Sequence, residues 1–505
     1  MKMRRKVLSA AVIALASVGS AQAVNISGNG MGEVLIFPYF TVNGGNETLI
    51  SVVNTTDHTK AVKVRFREYQ NSAEVLDFNL YLSPEDVWTG KITEDAAGGA
   101  KVITADKSCT VPTIPAGGVA FRTFQYDGGV AQDNGEQDLT RTREGYVEII
   151  EMGVVGEVID ATVTGAEAAA RHIDTNADGR VDTPASCATL TALWNGGTWS
   201  TNADADLAQP AGGLFGSVAI LNIQEGVEYS TNAVALENWR NTLGGVNQVV
   251  TTDGDGVIVA VSDSSNSIHV DTGTESPTLA NASPETSGVY TDGTLFTADW
   301  AGTTPSGGAN AVTATMMVKS LANEYTINPA VGAATDWIVT FPGKRTYTNV
   351  NDDLLVSAPF TEAFNDDTTP NGQACEQVAI GFWDREEASE TPTPGELDFS
   401  PQLPEISIIE ALCFEANVLT FGDSDVFSAQ DPKNIDIADG FNNGWARITF
   451  SDNNFFGDPA TGIYEGLPAI GFAASRLTNN GVGVGAAYAA TNDHRAIRVI
   501  SGAPL

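Results

Sequence analysis

Between residues 174 and 182 the chain reads Asp174-Thr-Asn176-Ala-Asp178-Gly179-Arg180-Val181-Asp182. Side-chain oxygens fall at loop positions 1, 3 and 5, a glycine at 6, an apolar residue at 8 and a carboxylate at 9. In a calcium loop, alternate oxygens converge on one ion and the glycine permits the sharp turn. The carbonyl of Arg180 would be a further ligand. The expected metal ligands are therefore Asp174, Asn176, Asp178, Arg180 and Asp182. Ala185 stands where an EF-hand has its bidentate glutamate. The expected cofactor is thus weakly held Ca2+, at roughly 10⁻⁴–10⁻³ M. The alternative is a plain Asx-rich turn.

Catalytic patterns are sparse. The four histidines, His58, His172, His269 and His494, show no zinc spacing. There is no GxSxG elbow and no phosphate loop. Asp493-His494 with one of many serines is a chance match to a triad. Glu148 and Glu151 could do acid–base work, but residues three apart on a strand point to opposite faces. Trp88, Trp194, Trp239, Trp300, Trp337 and Trp383 could include a sugar platform, though scattered tryptophans are more often core. The chain is expected not to be an enzyme.

These residues must be held by β structure. Residues 32–88 carry four short apolar runs separated by turn chemistry, including Asn43-Gly44-Gly45. In residues 61–67, Val62, Val64 and Phe66 should face a core, while Lys63, Arg65 and Arg67 should face water or an acidic partner. Further strands are expected at 146–158, 311–318, 336–341, 377–383 and 445–450. Short helices are expected at 166–172, from Thr183-Pro184 to about 195, and at 231–241. A hairpin is expected at Asp253-Gly254-Asp255-Gly256. The fold class is mainly β, with immunoglobulin-like or jelly-roll antiparallel sandwiches and a small helical insert.

Residues 1–23 read as a signal peptide: Lys2, Arg4, Arg5 and Lys6, an apolar core, then Ala21-Gln22-Ala23. Three parts should follow: an N-terminal β-sandwich domain at 24–164, the insert with the candidate calcium loop at 165–208, and a C-terminal β-rich domain at 209–505. The strands could instead form one interwoven body. Loss of the leader's four basic residues takes the formal charge from −37 to −41. Such a chain repels nucleic acid and attracts divalent cations. No later apolar run is long enough to span a bilayer. The four cysteines of an exported chain favour disulfides, Cys109–Cys187 and Cys375–Cys413, each closing a loop within one half.

Several stretches together are specific: Leu49-Ile-Ser-Val-Val-Asn-Thr-Thr56, Ala61-Val-Lys-Val-Arg-Phe-Arg-Glu68, residues 71–89, Arg143-Glu-Gly-Tyr-Val-Glu-Ile-Ile-Glu-Met-Gly153, residues 335–345 and residues 466–472. Through them most of the mature chain resembles a family of uncharacterised, exported proteobacterial cell-surface proteins. The resemblance implies an exported, surface-associated, non-catalytic protein, and it brings no site residues. The expected function is a structural or surface-layer-like extracellular protein with calcium-dependent self-association. An adhesin or carbohydrate-binding surface protein is the alternative, and a secreted hydrolase a more distant one. Expected partners are other copies, other surface components or glycans. The expected location is the cell surface, the extracellular space or the periplasm.

Overall fold

The computed structural model describes residues 23–127, 133–156, 165–200, 205–240, 278–282, 285–348, 356–364, 372–386, 408–437, 440–458, 462–478 and 487–501. The fold is mainly β, in antiparallel sheets of the sandwich class. The hairpin expected at 253–256 lies outside the described residues.

The first sheet is centred on Glu144–Val155, which pairs with Val34–Thr41 on one side and Lys60–Glu68 on the other. Glu74–Leu82 and Cys109–Val111 extend it at one edge, and Val234–Glu237 and Asn25–Ile26 at the other. The second sheet runs Val227–Asn232, Leu214–Asn222, Glu47–Asn54, Val87–Glu94, Ala100–Ile103, Val119–Ala120. Every residue of Val34–Thr41, Lys60–Glu68, Glu74–Leu82 and Glu144–Val155 is buried. The first sheet is therefore covered on both faces.

Two more sheets stand beside these. The third is built on Ile408–Leu412, Glu376–Asp384, Asn443–Phe450, Ser320–Thr326 and Arg495–Ile497. The fourth is built on Lys433–Ile435, Ala416–Phe421, Ala333–Thr340, Phe472–Thr478 and Ala487–Asp493. Alternate residues of the fourth sheet serve different cores. Trp337, Leu419 and Phe421 pack with the third sheet. Ile338, Val418 and Phe472 join the core between the first two sheets. The four sheets thus share cores. Strands at 207–208, 214–222 and 234–237 pair with strands drawn from residues 25–155, and the strand at 227–232 pairs with 214–222.

Two expected elements take the other form. Residues 231–241 were expected to be helical; the chain instead forms the strands Val227–Asn232 and Val234–Glu237. Val227 and Tyr229 point inward, Glu228 and Ser230 outward, and the free edges of two sheets supply partners. Residues 311–318 were expected to be a strand; Gly307–Met316 is a helix, wholly buried. Ser306 caps it, its hydroxyl accepting the Ala309 N–H at 3.1 Å. At Gly308 a Cβ would lie 2.6 Å from the carbonyls of Ala280 and Ala282. Close tertiary packing here overrides the strand preference of Val and Thr. Ser306→Ala should cost about 1 kcal/mol, seen as a lower urea midpoint at unchanged m-value.

In the insert, the helices are Ala166–Ala170 and Cys187–Trp194. The second starts after Ser186, not at Thr183-Pro184, which lie in a short strand. Both expected disulfides are formed, Cys109–Cys187 and Cys375–Cys413. No helix among the described residues is long and apolar enough to cross a membrane.

Candidate functional site

The candidate calcium loop is an exposed β-hairpin loop. It is framed by His172–Ile173 paired with Thr183–Pro184. The Asp182 N–H donates to Ile173 O at 3.0 Å, and Lys107 Nζ donates to Asp182 O at 2.9 Å. Asp174 accepts the N–H of Gly179 at 2.7 Å and those of Asn176 and Asp178 at 3.3 Å. Asp178 accepts the Arg180 N–H, and Asp182 accepts the Thr175 hydroxyl. The backbone donors hold the Asp174 carboxyl below its ordinary range. Gly179 sits at φ 84° and Ala177 at φ 61°, so the sharp turn exists. The structure places all five expected ligands in one loop, with the Asp174 and Asp178 carboxylates turned onto the loop's own backbone and that of Asp182 onto the Thr175 hydroxyl. Among the described residues no group of three or more His, Cys, Asp or Glu side chains is gathered tightly enough to hold a metal ion.

The stripe Lys63, Arg65, Arg67 differs from expectation: it is buried and faces acids of neighbouring strands. Lys63 meets Asp77 at 2.5 Å, Arg65 meets Glu74 at 2.5 Å, and Arg67 lies 3.6 Å from Glu148. Lys60 meets Glu151 at 2.6 Å. The cause is the covering of the first sheet's second face, which leaves each cation to be neutralised in place. Glu148 thus belongs to this stripe, while Glu151 pairs with Lys60 on the other face of the sheet. Glu151 also accepts the N–H groups of Ala211 and Gly212, and Glu33 lies beside it and Lys60.

Arg141 organises the turn at residues 68–73. Its guanidinium holds Glu68 through Nε at 2.8 Å and Nη2 at 3.0 Å. It holds Asp133 through Nη1 at 2.8 Å and Nη2 at 2.7 Å, and Asn71 through Nη2 at 2.7 Å. Glu68 in turn accepts the N–H of Ala73 at 2.7 Å. The turn docks onto the C-terminal half: the Glu415 and Ala416 N–H groups donate to Tyr69 O, and the Ser72 hydroxyl to the Glu415 carboxylate.

Five of the six tryptophans singled out in the sequence, Trp88, Trp194, Trp239, Trp300 and Trp337, are core residues. Trp383 is not. It lies on the outer face of the third sheet, in register with Trp445, which is in register with Glu324 on the next strand. The two indoles stack with centroids 4.1 Å apart and planes 11° off parallel. Arg447, two residues along the same face, sits 5.1 Å from the Trp383 ring centroid and 5.9 Å from that of Trp445. Gly381 makes room for this: a Cβ there would lie 2.9 Å from the Trp383 ring. Trp445 remains 38% exposed. It borders a depression of about 760 Å³ whose rim carries Glu324, Asp384, Arg385 and Asn443. Sequence reasoning missed Trp445. The signal was the alternation Trp445-Ala-Arg447-Ile-Thr449-Phe450, which puts Trp and Arg together on the face away from the core.

A second concavity, of about 680 Å³, lies on the outer face of the second sheet. Leu49, Ile103 and Ala219 line it with Ser51, Thr89 and Ser217. Lys91 is its one charged lining residue, and its Nζ donates to Glu47 at 2.7 Å. Val87 and Phe215 lie exposed nearby on adjoining strands.

Fold and sites together define a mainly β, disulfide-bonded body of fused sandwiches. No family model, curated protein or solved structure matches the chain.

Proposed function

We propose that this chain is an exported structural protein of the cell surface that associates with copies of itself without catalysing a reaction. The observation that carries it is the apolar outer face of the second sheet, where Leu49, Val87 and Phe215 stand exposed. Exposed apolar surface of this kind marks association sites. In a chain with a formal charge of −37, long-range repulsion opposes contact between copies. This concavity carries one lining charge, Lys91, already paired with Glu47. Two copies can meet there without setting unpaired like charges against each other.

Export is supported by the leader-like residues 1–23 and by the family-like motifs. Calcium at Asp174–Asp182, which would require the carboxylates to turn from the loop's own donors onto the ion, would screen part of the negative charge and so promote association.

The test is light scattering and negative-stain imaging of the oxidised mature chain across a calcium titration. Ordered sheets or filaments should form with calcium and be lost in the double variant Asp174→Ala/Asp178→Ala. Leu49→Asp should remove association while leaving the melting curve in place. A monodisperse monomer, unchanged through millimolar calcium, would sink this function.

A further inference from the structure

We propose that the outer face of the third sheet is a binding site for a neutral, pyranose-based glycan, seated on Trp445 and hydrogen-bonded by the polar rim around it. The proposal does not rest on self-association, which uses a different sheet.

Burying the second face of Trp445 would remove apolar area from water, yet the fold leaves the residue 38% exposed at the edge of a depression. The ring is also braced. Trp383 stacks beneath it, Gly381 lets Trp383 lie against the sheet, and Arg447 packs beside both rings. A braced aromatic loses little conformational freedom when a ligand covers it. The π face carries a negative quadrupole. It therefore suits the row of C–H groups on one face of a pyranose, which is apolar and weakly positive.

The rim supplies the other half of sugar chemistry. Glu324 lies directly across the strand from Trp445, and Asn443 two residues before it. Asp384 lies opposite Gly444, between them in register. Carboxylates accept, the amide does both, and the neighbouring Arg385 donates. Hydroxyl groups, which donate and accept in turn, match such a mixed rim. A polyanion does not: Glu324 and Asp384 offset Arg385 and Arg447 around the ring, and the whole chain is strongly acidic. A nucleic acid or a sulfated glycan is disfavoured on the same ground.

The probes are cellohexaose, chitohexaose and maltohexaose, titrated into the oxidised mature protein by calorimetry with tryptophan emission followed in parallel. At least one should bind and shift the emission. Trp445→Ala should weaken binding by at least about tenfold, and Glu324→Gln by less. Leu49→Asp, on the other sheet, should leave binding unchanged. Near-UV circular dichroism should lose the stacked-indole signal in Trp445→Ala while the melting curve shows an intact fold. The proposal is overturned if none of the three oligosaccharides binds at about 10 mM. It is equally overturned if Trp445→Ala binds as well as the parent, or if binding is confined to a polyanion such as polygalacturonate.

Discussion

Arg141→Met should lower the unfolding free energy by about 3–5 kcal/mol, the range for removing one partner of a buried ion pair. Arg141, Glu68 and Asp133 are all fully buried at the side chain. Methionine would fill much of the volume but leave two carboxylates without a counter-charge. It would also release the turn at residues 68–73 that docks on Glu415 and Ala416. Arg141→Lys should recover only a minor part, since one ammonium cannot reproduce two forked contacts and the bond to Asn71. Urea titration at pH 7 with the disulfides intact measures both. A loss within 1 kcal/mol of zero would show that the arginine is not the turn's anchor.

The second large effect is with pH. Burial pushes the Glu33 carboxyl from its ordinary 4.5 up to about 8, with Glu151 adding to the push and Lys60 opposing it. Burial likewise raises Glu144 and Glu415 to about 7. A buried acid of this kind is protonated in the fold and ionised in the unfolded chain. Unfolding then releases a proton, so stability falls as pH rises from the ordinary value to the folded one. His494 acts in the opposite sense. Its Nε2–H donates to Ile338 O, burial lowers its pKa to about 4, and stability is lost as pH drops below 6.5. Lys344, pulled down to about 8 by burial, loses its proton around that pH and so offsets a small part of the acids' effect at the top of the range. Between pH 6.5 and 8 the acids therefore dominate. The protein should be about 2–3 kcal/mol more stable at pH 6.5 than at pH 8. Glu33→Gln keeps an acceptor for the Arg240 N–H, which Glu33 holds at 2.6 Å. It should remove most of that difference by raising stability at pH 8. Equal urea midpoints at the two pH values in the parent protein would rule out a neutral Glu33.

Most strands could be read from the sequence because their cue is local. Residues 32–88 alternate apolar runs with Gly- and Asn-rich turns, and the strands Val34–Thr41, Glu47–Asn54, Lys60–Glu68 and Glu74–Leu82 fall there. Both cysteine pairs were legible for a similar reason, each lying within one half of the chain. The burial of Lys63, Arg65 and Arg67 was not legible. Alternation tells which residues share a face, but whether that face is wet depends on elements hundreds of residues away. The same limit explains residues 231–241 and 307–316, where free sheet edges and a tight helix seat decided against local preference. For the sites, the loop at 174–182 was visible as a motif. Trp445 was not, because a platform exists only when strands distant in sequence set Trp383, Trp445 and Glu324 side by side.

The sharing of cores has a consequence for how the molecule is made. When a ribosome has added the first 200 residues, the first sheet still lacks its edge at Val234–Glu237, and the second lacks Leu214–Asn222 and Val227–Asn232. Their common core also waits for Ile338, Val418 and Phe472. No finished half exists to be stored while the rest arrives. Closing such distant contacts is slow and leaves apolar strands uncovered meanwhile. Nearly the whole chain must therefore be delivered before any part of it is safe from aggregation. A truncation near residue 240 should leave an insoluble product, because it ends before the residues that cover its strands.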